Sequence, residues 1–293
     1  MSKKEKIVGT CRLCKQKMEL QGSHIIPKMF YDLIKRNSLT ARIRGTDNPN
    51  IPLQDGVKIP FLCHECEEKF SNYETGFSRI YRNYAGSFGT AEFDSDSDIL
   101  RYFLLSIGWR VLQYLREKDI KDLTVEEYEA IDSKLEEWRL TLWNEDHESI
   151  RKQKQYIIPT TRLSYFNKFP TRRISNIGFD FHPFGPENSF RSAFSTTQIP
   201  YLLFLSMVWG EEKLLADYEI GKKIVPADFQ LPETLNWQLD EFHINKFGDA
   251  DQALSDSQRE KIEDLVSAKT KGVVSVESLS EAYQRILKDT ESN

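Results

Sequence analysis

The chain predicts an α+β fold, with a small zinc-stapled N-terminal module followed by a larger α+β domain. Three observations predict it. The only four cysteines stand in two matched pairs, Cys11-Arg12-Leu13-Cys14 and Cys63-His64-Glu65-Cys66. Residues 98–143 carry apolar positions at helical spacing, and residues 156–242 carry short apolar runs broken by Pro and Gly. At 293 residues the chain suits one large or two modest domains. The expected division is a zinc-binding module over 1–90 and an α+β domain over 91–293. The second part is read as helices at 98–143, a β-rich stretch at 156–242 and C-terminal helices at 255–290.

Two C-x-x-C pairs with no cysteine left over read as a four-thiolate tetrahedral zinc site, with Cys11, Cys14, Cys63 and Cys66 as ligands. The 48 residues between the pairs, 15–62, would be held in place by the metal. Disulfides compete with this reading. The N-terminal MSKKEKIVGT, however, has no apolar stretch of the secretory kind. A charged, cytoplasmic protein is expected, and cytosolic thiols normally stay reduced. A redox C-x-x-C needs only one pair and a βαβ pattern that the sequence lacks. The longest apolar run, Tyr201 to Trp209 with Ser206 inside it, is too short to span a bilayer, so no membrane association is expected. The many aromatic residues, 18 Phe, 12 Tyr and 5 Trp, argue against general disorder.

Net charge is −5, unevenly distributed. Residues 1–84 hold 15 Lys and Arg against 9 Asp and Glu, a net of +6, and the remainder holds 25 against 36, a net of −11. Zinc with four thiolates lowers the first figure by two. The module stays basic, which suits a phosphate backbone or ordinary scatter on a solvated surface.

The elements follow in order. Ile7 to Thr10 reads as a short strand into the first cysteine pair. Pro27 suits a helix first turn, and Phe30, Leu33 and Ile34 give the following segment a helical face. Residues 38–60 read as a loop or irregular hairpin, with β-like pieces at Ala41–Arg44 and Val57–Ile59. Cys63 and Cys66 open a helix through Phe70, Tyr73, Phe77, Ile80 and Tyr81. Ala85 to Asp98 looks like a linker. Asp98 then caps a helix from Ile99 to Leu115 that is apolar around most of its circumference and belongs in a core. Thr124 and Glu127 form a capping box for an amphipathic helix. Short strands are expected at Tyr156–Ile158, Ile174–Phe181, Tyr201–Trp209 and Lys223–Val225, giving an antiparallel sheet. Ser255 with Gln258 starts one C-terminal helix, and another lies around Leu279–Leu287.

His24, in Gly22-Ser23-His24-Ile25-Ile26-Pro27, lies between the pairs. It has three candidate roles: a zinc ligand, although four thiolates already complete the tetrahedron; a buried structural histidine; or a general base that takes a proton from water attacking phosphorus. Cys11-x-x-Cys14, His24-Ile25-Ile26-Pro27 and Leu62-Cys63-x-x-Cys66 together resemble the zinc-stapled branch of the HNH (ββα-metal) endonucleases, over residues 11 to about 75, a quarter of the chain. Cysteine pairs flanking a connecting segment, the second at a helix N-terminus, also outline a treble clef. That family commonly shows Asp/Glu-His-Ile-x-Pro, a middle Asn, and Asn or His after the last cysteine.

The resemblance implies a DNA-cleaving hydrolase with His24 as general base, structural Zn²⁺ on the four cysteines, and a catalytic Mg²⁺ or Mn²⁺. Three positions depart from the pattern. Ser23 replaces the metal-binding carboxylate, Lys58 stands where the Asn orients the base, and Glu67 follows Cys66. Glu67 can ligate a hard cation or simply favour the helix N-terminus. Asp55 and Asn50 lie in the intervening loop. Arg42 and Arg44, alternating on an extended segment, point to one side, and with Lys58 are the candidate backbone contacts. His64 is expected to face solvent or a phosphate; His147, His182 and His243 are expected to be structural. A bacterial anti-phage effector is the family's habit. The rival readings are a catalytically degenerate nucleic-acid-binding module and a protein-interaction module. The C-terminal domain would choose the target, bind a protein partner or form a homo-oligomer.

Overall fold

The computed structural model describes residues 6–37, 42–45, 48–163, 177–184, 192–210, 213–228, 230–231, 233–247 and 254–270. The expected helix around 279–287 lies outside them. Helices and antiparallel sheets are mixed throughout, an α+β architecture.

The N-terminal part begins with β1 (Val8–Thr10) and β2 (Lys17–His24), which pair antiparallel across the first cysteine turn. Helix α1 (Lys28–Asn37) follows, then a two-residue pair β3 (Ile43–Arg44) and β4 (Pro52–Leu53). Strand β5 (Lys58–Cys63) adds to β2, so the sheet order is β1-β2-β5. In this register His24 faces Lys58 and Leu20 faces Cys63. Helix α2 (His64–Gly86) leaves directly from the second cysteine pair. Two antiparallel strands and a helix thus run from β2 through β5 into α2.

The segment read as a linker contains β6 (Phe93–Asp94), which pairs with β11 (Lys223–Ile224). Two-residue strands leave no periodicity to read. Helix α3 (Asp98–Glu117) is capped by Ser97, whose hydroxyl accepts from the Leu100 N–H at 3.3 Å. The expected cap, Asp98, is the first helical residue, and its carboxylate instead holds His147 and Arg151. Helix α4 (Val125–Asn144) carries the capping box, with both reciprocal bonds between Thr124 and Glu127 present. Helix α5 (His147–Lys152) turns the chain into β7 (Gln155–Pro159).

Strands β8 (Gly178–Phe184), β9 (Ser192–Ile199) and β10 (Leu202–Gly210) complete an antiparallel sheet of order β7-β10-β9-β8. Sequence reasoning passed over β9: its SAFSTTQI lacks apolar alternation because this inner strand is buried along its whole length. Helices α6 (Glu233–Phe247) and α7 (Asp256–Thr270) follow. Helix α6 begins inside the stretch expected to be β-rich.

Helix α3 packs against one face of the four-stranded sheet. Gly108 allows the approach: a Cβ there would fall 2.5 Å from Ser206 Oγ, and its carbonyl accepts from Ser195 Oγ at 2.8 Å. An aromatic column joins α1, α2, α3 and β10. Phe77 stacks on Phe103 with ring centroids 3.9 Å apart, Phe30 meets Phe77, Tyr81 and Phe103, and Phe204 closes the far end. One core cluster therefore contains Cys11, Cys63 and Cys66 together with α3 and sheet residues up to Ile224. Phe103→Ala should cost about 3–5 kcal/mol, the usual loss for a buried aromatic, measured by urea denaturation.

The other sheet face holds a second cluster that includes Phe194, Leu203, Leu205 and Leu239 of α6. His243 of α6 is fully buried, with Nδ1 2.5 Å from the Leu239 carbonyl. Burial pushes both His182 and His243 down to about 4. Their folded values lie below the unfolded ~6.5, so the unfolded chain binds more protons between these limits, and stability falls as pH drops from ~6.5 toward 4. The loss should approach roughly 3 kcal/mol per histidine at pH 4, read from urea midpoints at pH 7 and pH 4. Among the described residues no helix is long and apolar enough to cross a membrane.

Candidate metal and active centre

The first cysteine pair sits on a turn in which Lys15 takes a left-handed φ of 63°. The Lys15 N–H bonds to the Cys11 carbonyl at 2.9 Å. The second pair sits where β5 becomes α2. The sequence-predicted ligands converge: the Sγ atoms of Cys11, Cys14, Cys63 and Cys66 all lie within 4.8 Å of one another. The Cys14–Cys63 separation is 3.8 Å. Four thiolates at the Zn–S distance of about 2.3 Å around a tetrahedral ion are separated by about 3.8 Å, whereas a disulfide requires about 2.05 Å. Cys63 N–H donates to Cys11 Sγ at 3.3 Å. The Cys66 thiol donates to Cys11 and holds it down to about 4, while burial pushes Cys14 up and the same Cys11 partnership pushes Cys66 up. Four sulfurs this close cannot all ionise alone. A divalent cation removes the conflict, so the donor set fits zinc.

The helical layer holds this end of the molecule. Arg12, inside the first pair, meets Glu117 of α3 at 3.0 and 3.2 Å. Arg139 of α4 donates to the Leu13 carbonyl at 2.7 Å.

His24 ends β2, and its side chain is 14% exposed. Its Nε2 is buried with no hydrogen-bond partner among the described residues; the Asp55 carboxylate lies 3.9 Å away. Burial and then the Lys58 charge lower the His24 pKa, with Asp55 opposing, so the ring is neutral at neutral pH. Asp55 is held by Lys35 at 3.0 Å, which lowers its own pKa. The loop packs closely here because residue 56 is glycine: a Cβ would overlap the Tyr31 ring at 1.9 Å.

Ser23 is fully buried. Its hydroxyl donates to Glu67 Oε2 at 3.1 Å and accepts from the Leu62 N–H at 3.3 Å. Glu67 lies in the first turn of α2, and burial raises its pKa against the pull of Arg110 and Ser23. The helix carboxylate therefore reaches the strand position next to His24. Among the described residues, only the four cysteines converge as a group of three or more metal-binding side chains. No such group of three forms around Glu67 among the described residues.

The basic candidates divide. Arg42 is exposed and, with Lys28, Lys35, Pro52, Leu53, Gln54 and Asp55, lines a cleft of about 430 Å³. Arg44 is partly consumed by the Pro49 carbonyl at 2.5 Å and Gln258 of α7 at 3.2 Å. Lys58 is exposed beside His24, its stem crossing Gly22. Asn50 Oδ1 accepts from the Ser255 N–H at 2.8 Å. His64 is exposed and pairs with Glu68.

Sequence reasoning missed Arg110 of α3, which bonds to the His24 carbonyl at 3.1 Å. Its signal was a cation in the middle of a helix otherwise read as core. No protein-family model, curated protein or solved structure matches the chain.

Proposed function

We propose that the protein is an HNH-like, metal-dependent endonuclease that hydrolyses phosphodiester bonds in DNA. The observation that carries this reading is the Ser23–Glu67 contact of 3.1 Å. It brings a carboxylate from the helix to the strand position beside His24, where the resemblance calls for one. His24, neutral and at the end of β2, takes the proton from the attacking water, and Asp55 supports the imidazolium that forms. Glu67 and the substrate's own phosphate oxygens would hold Mg²⁺ or Mn²⁺, which when bound neutralises charge at the phosphate. Arg42 and Lys28, which line the cleft, and the exposed Lys58 suit backbone phosphates. Zinc on the four cysteines is structural. The helices and sheet beyond residue 91 would serve target choice, a protein partner or self-association. An anti-phage role rests on analogy with the resemblance alone.

A catalytically degenerate nucleic-acid-binding module is the second reading, and one observation favours it: among the described residues no group of three or more metal-binding side chains other than the four cysteines comes together, His24, Asp55 and Glu67 included. Incubating the purified protein with supercoiled plasmid and single-stranded DNA under Mg²⁺, Mn²⁺ or Ni²⁺, with binding followed in parallel over a salt series, separates the two. Metal-dependent nicking supports the nuclease. Salt-sensitive binding without turnover under any ion supports the binding module.

A further inference from the structure

Arg110 belongs to α3, outside the zinc module, and its side chain is 2% exposed. Nη1 donates to the His24 carbonyl at 3.1 Å, and both Nη1 and Nη2 donate to Glu74 Oε1 of α2 at 3.0 Å. Nε reaches the Ser106 carbonyl at 3.3 Å, and the guanidinium lies over the Phe70 ring, 5.3 Å from its centroid. A buried cation is costly to desolvate, and an apolar residue of similar volume commonly serves stability as well or better. Stability alone therefore gives weak grounds for an arginine here. Its fork, however, spans two elements at once: the last residue of β2, which carries the imidazole, and α2, which carries Glu67 two turns before Glu74.

We infer that Arg110 is a positioning residue of the His24 site, fixing the β2 terminus against α2 so that the imidazole and the Glu67 carboxylate keep their relative placement. The inference rests on the nuclease reading and extends it: the helical layer completes the site. The same layer grips the zinc end through Glu117 and Arg139. Lysine keeps the charge but lacks the planar fork, so one ammonium cannot reproduce both sets of bonds. Methionine fills similar volume without charge, and Glu74, 26% exposed on its side chain, can rehydrate.

The test uses the full chain as wild type, Arg110→Lys and Arg110→Met. Zinc content and thermal midpoint are measured beside kcat and KM for plasmid nicking, and beside the His24 ring resonances in ¹H–¹³C spectra. A folded, zinc-loaded Arg110→Lys should lose about 10–100-fold in kcat, as supporting residues do, with KM unchanged. His24 resonances should move while those of His64 and His147 stay. Arg110→Met should lose the same activity without a matching loss of stability. Should the methionine variant not fold, the lysine variant decides. Wild-type kcat and unmoved His24 resonances in a folded Arg110→Lys would overturn the inference. If the wild type cuts no DNA, the nuclease reading fails, and the His24 resonances still report whether Arg110 sets the ring's position.

Discussion

Stripping zinc with a chelator, or replacing Cys63 with Ser, should unfold the cysteine end of the molecule and lower the thermal midpoint sharply. Metal binding to a site that does not pre-exist in the unfolded chain contributes directly to folding, with apparent values of about 10–16 kcal/mol for structural zinc in small peptides. Here the effect should reach beyond the cysteines. Cys11, Cys63 and Cys66 share one core cluster with Phe70, Phe77, Phe103 and Trp109. Trp109 of α3 packs on Phe61 and Phe70, which flank the second cysteine pair in sequence. Metal analysis should return one zinc per chain. After stripping, amide spectra should lose dispersion for residues 8–24 and 58–70 first, while the sheet of β7 to β10 retains a core. A thermal profile unchanged after complete zinc removal would contradict this.

Replacing His24 with Ala should abolish DNA nicking, by about 10²–10⁴-fold if the ring acts as general base, with zinc content and fold preserved. The fold should tolerate the change because the contacts that order this strand end use the backbone: the His24 carbonyl accepts from Arg110, and Ile25 N–H bonds to the Val57 carbonyl. The imidazole contributes a buried nitrogen without a partner among the described residues, so its removal does not break a hydrogen-bond network. Activity should fall on acidification as His24 gains its proton, and burial with the Lys58 charge moves that fall to lower pH than for an ordinary histidine.

The cluster of four cysteines was legible in the sequence because C-x-x-C spacing sets ligand geometry locally, and a second pair with no spare cysteine pointed to one shared metal site. The mixture of strands and helices followed because both pairs sit at turns whose neighbours carry strand or helix patterning. Glu67 was named from its position after Cys66. Its contact with Ser23 was not legible, since it depends on the register between β2 and β5 and on the angle at which α2 leaves. Asp55 approaches His24 through a loop, and nothing in the loop's composition encodes where it returns.

Two kinds of structure were hidden. Ser192 to Ile199 is polar by composition and yet buried on an inner strand, so the usual alternation rule had nothing to detect. Helix α6 starts within a stretch whose Pro and Gly spacing suggested strands, and its own residues show little one-sided apolar patterning. Arg110 is the most instructive case. A cation in the middle of a helix buried around most of its circumference is rare without a partner, and that incongruity alone marks it. The partners, His24 and Glu74, come from elements far away in sequence.

The most direct test is the ratio of plasmid-nicking rates for wild type and His24→Ala at matched zinc content, under Mg²⁺, Mn²⁺ and Ni²⁺. Wild type should cut only with an added divalent ion, and cutting should vanish in the variant. Equal cutting by both proteins would remove His24 from the chemistry. Binding by both without cutting under any ion would leave a zinc-stabilised binding module in place of the nuclease.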